Sequence, residues 1–223
     1  MAGDREPHFA LARTLGFSLL AVVLILAFAA LAGEMLEGET RAFDMVVLRA
    51  AQSLREDRPW VTEAMRDFSG LGSTVVLTLL TGVSVGYLAL VSTRTSVFLV
   101  ATSVISGSIC VSVFKAAFGR ARPDTAYAEL VATGLSFPSG HATMSAVVFL
   151  TLGTLVASTR TLWIERIYIF CAAALMTVLV GLSRIALGVH WATDVLGGWA
   201  FGTGWAIAWL LVASFLDHRR DRP

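Results

Sequence analysis

An all-α membrane bundle with six crossing helices is the fold class this sequence predicts, and three observations predict it. Of 223 residues, 56% are hydrophobic and only 15% are charged, where a soluble domain carries about 25% charged residues. The apolar residues gather in runs near the ~20 residues a helix needs to cross a bilayer. Polar connections, mostly short, separate those runs, so residues 1–223 read as a single integral-membrane domain. A formal net charge of +1 argues against a nucleic-acid partner, which calls for a basic face. Protein partners leave no mark on the sequence.

Taken in order, a short polar start precedes a first span over residues 14–32. No clear cleavage signal stands before Glu34, so the run reads as a retained span rather than a signal peptide. Residues 34–72 form the longest polar segment, with two amphipathic patterns inside it. Phe43, Val46, Val47, Ala50 and Leu54 share one helical face, and so do Trp60, Ala64, Met65 and Phe68. Pro59 suits the first turn of the second helix. Two arrangements are open: short helices lying in the interface, with Trp60 at headgroup depth, or a cap packed over the bundle. Further spans follow over 74–91 and 95–114, with Arg94 in a tight turn between them. The last three cover 142–158, 167–183 and 195–216, and a charged tail ends the chain. Cys110 and Cys171 fall in different spans, form no metal or disulfide pattern and read as small core residues.

Six spans put both termini on one side of the membrane. The connections after the third and fifth spans then open together on the opposite face, where the chain's polar clusters can converge. Arginines are nearly balanced between the two sides. The termini are read as cytoplasmic, which places the clusters at the periplasmic or outer face of the inner (plasma) membrane.

Those clusters carry the chemistry. Lys115 is the one lysine among 17 basic residues, and it closes the third span seven residues before Arg122. With Arg184 it makes three cations that have no acidic partner in their own motifs. Charges at span ends are costly to leave without purpose, and a phosphate near its dianionic state is what such a set suits. Ser139 is placed as an N-cap opening the fourth span, and Gly140 lets backbone N–H groups approach an anion closely. His141 then sits in the first helical turn, where it can protonate a leaving oxygen. His190 and Asp194 are four residues apart, so the carboxylate can hold one imidazole nitrogen and leave the other free to attack phosphorus. No group of carboxylates has metal-ligand spacing, which favours a reaction without a metal or other cofactor.

Lys-x6-Arg-Pro over 115–123, Pro-Ser-Gly-His over 138–141 and Ser-Arg-x5-His-x3-Asp over 183–194 resemble the three-part signature of the type 2 phosphatidic acid phosphatase superfamily. All three parts match in the family's order, and the likeness runs from the second span to the sixth. The resemblance implies that Lys115, Arg122, Ser139, Gly140 and Arg184 bind phosphate, that His141 is the general acid, and that His190 is the nucleophile oriented by Asp194. Soluble vanadium haloperoxidases share the signature, and six apolar spans argue against that branch. The resemblance implies a lipid phosphate or pyrophosphate as substrate, of the undecaprenyl pyrophosphate, phosphatidylglycerophosphate or phosphatidate type. Undecaprenyl pyrophosphate is the first expectation, with Arg120 either meeting a second phosphate or lying at the surface. Two alternatives stand beside hydrolysis: a phosphotransferase using the same site, and a transporter or scaffold with an anion site.

Overall fold

The computed structural model describes residues 5–91 and 94–220. Among them the chain is helical, with eight α-helices and one short 3-10 turn. The first helix, α1 (Arg5–Glu37), extends well beyond the expected 14–32 span. Two short helices follow, α2 (Arg41–Asp57) and α3 (Pro59–Leu71), the latter with Pro59 in its first turn as expected. The remaining crossing helices are α4 (Thr74–Val91), α5 (Arg94–Phe118), α6 (Gly140–Ser158), α7 (Trp163–Ala186) and α8 (Ala192–Arg220). Six segments are long and apolar enough to cross a membrane, with α3 and α4 counted together as one of them. The chain is a multi-pass membrane protein. The expected tight turn before Arg94 falls on residues 92 and 93, outside the described residues, and Arg94 itself opens α5. Residues 1–4 of the polar start and 221–223 of the charged tail also lie outside them.

Helix α6 sits at the centre, packed against α7 on one side and α8 on the other, with α5 alongside. Its approach to α8 is set by small residues. A Cβ on Gly202 would lie 2.5 Å from the Thr143 carbonyl oxygen, and one on Gly198 would lie 3.0 Å from that of Ser139. Close backbone approach of this kind brings helices together where apolar burial alone gives little drive. Helix α1 closes the other side of α8, whereas α4 buries only Leu77 and presents the rest of its apolar surface outward.

An aromatic cluster fastens the loop between α5 and α6. Phe137 is fully buried among Phe28, Phe118 and Phe201, stacking on Phe28 with ring centroids 5.6 Å apart. Its neighbours Ser136, Pro138 and Ser139 are held in place by that anchor. Truncating such a ring in a packed core costs about 3–5 kcal/mol.

Helix α2 turns part of its apolar face outward. Along α2 the apolar residues Phe43, Val46 and Leu54 face outward, and the side packed on the bundle carries Asp44, Leu48 and Arg55. Val47 of the same stripe and Ala51 pack inward against Ala142, Ile185, Ala192 and Val195 beside the buried Leu48, and polar contacts join them there. Arg55 donates to the Ala186 and Tyr127 carbonyl oxygens and lies 3.5 Å from Glu129. Cys171 is exposed on the outer side of α7, against the expectation of a core position, whereas Cys110 is half-buried and packs against the cluster around Phe28, Phe137 and Phe201. In a helix surrounded by lipid an outward-facing apolar residue carries no penalty, and the inside-outside rule for soluble proteins does not hold.

Candidate active site

The α5–α6 loop, the α7–α8 loop and the amino-terminal pair α2–α3 meet at one end of the bundle. The Glu129 amide donates to the Leu187 carbonyl oxygen over 3.0 Å, and Arg55 joins both loops from α2. At Gly188 the backbone takes φ +70°, and a Cβ there would lie 1.9 Å from the Tyr127 carbonyl oxygen. Glycine alone fits that turn, which sends the chain back through Val189 to His190.

His190 lies just ahead of α8 rather than inside it, yet the spacing of four still brings the two side chains together. Its Nδ1 is 3.2 Å from Asp194 Oδ2. The carboxylate accepts three further hydrogen bonds. Oδ2 takes the Ser136 hydroxyl and, over 2.9 Å, the Trp191 amide; Oδ1 takes Arg120 Nη1 over 2.6 Å. Helix α8 also offers the Asp194 carbonyl oxygen to the Ser139 amide at 3.0 Å, tying the second cluster to the third. With Nδ1 donating to Asp194, the lone pair of His190 is on Nε2.

Arg122 sits at that atom. Its Nη1 is 3.0 Å from His190 Nε2 and donates to the Val189 carbonyl oxygen over 2.8 Å, while Nε reaches Gly134. Burial holds the His190 imidazole down at about 4, against the raising effect of Asp194; the Arg122 and Arg184 charges add to the lowering. A ring that stays neutral at ordinary pH keeps an Nε2 lone pair, which here accepts from Arg122 Nη1.

The other candidate binders approach from α5, α6 and α7. Lys115 Nζ donates to the Leu135 carbonyl oxygen and lies 3.5 Å from that of Ser136. Arg184 is buried at the end of α7, where Nη1 donates to the Ser69 hydroxyl and Nε has no protein partner. Ser139 does occupy the N-cap position of α6, but its hydroxyl makes no capping bond. That hydroxyl is fully buried and, like Arg184 Nε, unpartnered. Two buried polar atoms left without partners are expensive in a closed structure, and an anion held between them would satisfy both. His141 occupies the first turn of α6 beside Gly72, where a Cβ would lie 3.4 Å from His141 Cδ2.

Arg120 is placed differently from either expectation. It is neither exposed nor directed toward the front of His190. Its Nη2 meets Asp44 Oδ2 at 2.6 Å, its Nη1 also donates to Thr193 Oγ1 over 2.8 Å, and its guanidinium lies 5.5 Å from the Trp191 ring centre. Sequence reasoning missed this rear network, together with Ser69 and Ser136. A lone aspartate on the inward side of α2 was the one available signal. Among the described residues no three His, Cys, Asp or Glu side chains gather as a metal-binding group.

Comparison with known proteins agrees with the motif reading. A family model described as the PAP2 superfamily matches residues 96–218, which include all three clusters. The chain is 32% identical over 186 residues to phosphatidylglycerophosphatase B of Bacillus subtilis, covering 81% of this chain and 88% of that one. An undecaprenyl-diphosphatase of Sulfolobus acidocaldarius is 39% identical over 71 residues, covering 32% of this chain and 30% of its own length. The crystal structure of a transmembrane PAP2-type phosphatidylglycerolphosphate phosphatase from Bacillus subtilis aligns with a TM-score of 0.78 at 28% identity. That alignment covers 91% of this chain and 98% of the other. The chain belongs to the PAP2 superfamily, as a multi-pass membrane phosphatase.

Proposed function

We propose that this phosphatase removes the phosphate of a lipid phosphate monoester, phosphatidylglycerophosphate first, through a phosphohistidine on His190 and without a metal ion. The observation that carries the reading is the buried His190, with Nδ1 on Asp194 and the guanidinium of Arg122 at Nε2. In the first step the Nε2 lone pair forms the N–P bond as the lipid P–O bond breaks. His141 gives its proton to the leaving lipid oxygen. A water then attacks phosphorus, transfers a proton to His141 and releases inorganic phosphate with His190 restored. Lys115, Arg122, Arg184, the Ser139 hydroxyl and the amide groups near Gly140 hold the equatorial oxygens, where charge concentrates in the transition state.

Two arguments favour a monoester over a pyrophosphate. The relative matched along most of its length is named a phosphatidylglycerophosphatase, whereas the undecaprenyl-diphosphatase likeness covers a third of this chain. Arg120, the residue that offered a second phosphate a partner, is engaged by Asp44 and Asp194. The site lies where the crossing helices end, so a lipid's phosphate can reach His190 while its chains stay in the hydrocarbon. That avoids a cost of roughly 0.8 kcal/mol per CH₂ exposed. We place the termini in the cytoplasm and the site at the outer face of the plasma membrane.

Phosphate release from phosphatidylglycerophosphate, phosphatidate, undecaprenyl pyrophosphate and lipid A phosphates in detergent tests the substrate, with and without a chelator. Fastest release from phosphatidylglycerophosphate, unchanged by chelation, is expected; loss of activity with the chelator contradicts the metal-free step. Topology is read with a membrane-impermeant thiol reagent on cells, after both natural cysteines are replaced. Ala126→Cys is expected to react from outside and Ser158→Cys is not, and the reverse pattern turns the site inward.

A further inference from the structure

We infer that Asp44 and Ser69, two buried side chains from α2 and α3, are positioning residues for this reaction: Asp44 shares Arg120 with Asp194 so that Asp194 keeps charge for His190, and Ser69 aims Arg184 at the phosphate. The inference rests on the lipid-phosphatase reading above and adds residues that lie outside the segment matched by the family model, residues 96–218.

Asp44 is 1% exposed, and its side-chain hydrogen bonds go to Thr193 and Arg120, the neighbours of Asp194. Its Oδ1 accepts the Thr193 amide at 2.9 Å, and its Oδ2 accepts the Thr193 hydroxyl at 2.7 Å and Arg120 Nη2 at 2.6 Å. Arg120 spans the two carboxylates, 2.6 Å from each. One guanidinium between two carboxylates leaves the trio with a net negative charge. Paired with Asp194 alone, the same guanidinium would neutralise it. That difference matters when phosphorus bonds to His190 Nε2, because the ring gains positive charge and Nδ1–H presses on Asp194 Oδ2. Arg120 occupies the other oxygen, Oδ1, so the two demands on Asp194 are separated atom by atom.

Ser69 acts at the other wall. It is 4% exposed at the end of α3, and its hydroxyl accepts from Arg184 Nη1. Arg184 Nε is buried and unpartnered beside it. One nitrogen fixed by protein and another left over is the arrangement of a fork held ready for an anion.

The test compares Asp44→Asn, Ser69→Ala and His190→Ala with the wild type in detergent, using whichever lipid of the panel is hydrolysed fastest and vanadate as a phosphate mimic. Asp44→Asn keeps the shape and removes the charge. It is expected to lower kcat by about tenfold, the size that outer partners of a catalytic ligand carry, while vanadate inhibition stays within about twofold. Ser69→Ala is expected to do the reverse, weakening vanadate about tenfold with kcat at saturation little changed. If Asp44→Asn does not fold, Asp44→Ser removes the same charge, leaves a hydroxyl able to accept from the Thr193 amide, and is expected to show the same kcat loss. Wild-type turnover in the folded Asp44 variant overturns the inference, and so does an equal loss of turnover and vanadate affinity in both the Asp44 and Ser69 variants. Full activity in His190→Ala would instead overturn the underlying mechanism, so the two failures are distinguishable.

Discussion

The two sides of the Asp194 carboxylate are built on opposite rules. In front of it, toward His190, lie Lys115, Arg122 and Arg184, with Ser139 Oγ and Arg184 Nε unpartnered and buried. Behind it, Asp44 and Thr193 are buried and Arg120 is partly so, and their polar groups are closely paired by contacts of 2.6–2.9 Å. The front carries unbalanced charge and open hydrogen-bonding atoms, as an anion site requires, whereas the rear is balanced. Burial alone does not separate the two, because each mixes fully buried groups with partly exposed ones, Lys115 and Arg122 in front and Arg120 behind.

The largest expected effect lies in front. His190→Ala should lower kcat by about 10⁴-fold or more, as loss of a nucleophile acting in a unit does, with an unchanged unfolding transition in detergent. Single alanine changes at Lys115, Arg122 and Arg184 should each reduce kcat/KM by about 10²–10³-fold, the size of one preorganised donor at a developing charge. Vanadate inhibition measured on the same variants should weaken in parallel, and unchanged affinity in all three would remove the clamp.

A pair of small substitutions then sharpens the contrast. Ser139→Ala removes a hydroxyl with no protein partner, so thermal stability should hold within about 0.5 kcal/mol while activity falls. Thr193→Val removes one that donates to Asp44 and accepts from Arg120, and should cost about 1.5–3 kcal/mol, the size of hydrogen bonds to charged groups. Unfolding followed by circular dichroism checks both, and equal costs would erase the distinction.

How legible this was from sequence follows the same division. The crossing helices announce themselves through uninterrupted apolar runs, and the front residues stand in three short motifs where spacing of four or seven brings functional groups together. The rear network joins Asp44 to Thr193, which are 149 residues apart, and Arg120 to Asp194, 74 apart. No local period connects such pairs. Arg120 could be read as a second-phosphate ligand or a surface residue, because its actual partners are supplied from elsewhere. Along α2 the apolar stripe of Phe43, Val46 and Leu54 was readable, but which way it faces was not, since a membrane protein gains from apolar residues on its outer side. Ser139 was correctly placed at the start of α6, and the expected capping bond is absent from its hydroxyl.

A further effect concerns pH. With the His190 imidazole held at about 4, below its ordinary value of ~6.5, the folded site refuses a proton that the unfolded chain accepts between those values. Stability should therefore decline as pH falls from ~6.5 toward 4 and level off below. The nucleophile itself should remain a free base through that window, so the acid limb of kcat/KM assigned to His190 lies near 4 once substrate ionisation is subtracted. A limb near 6.5 that disappears in a His190 variant with residual activity would contradict it.

The central claim is that His190 Nε2 becomes bonded to phosphorus. Rapid acid-free quenching of the enzyme with ³²P-labelled lipid phosphate, followed by denaturing electrophoresis, tests it directly. The account predicts protein-bound label that is stable in base, labile in acid and located on the peptide containing His190. Label should be absent from His190→Ala. Wild-type turnover with no protein-bound label at any quench time, or label that persists in His190→Ala, would contradict it.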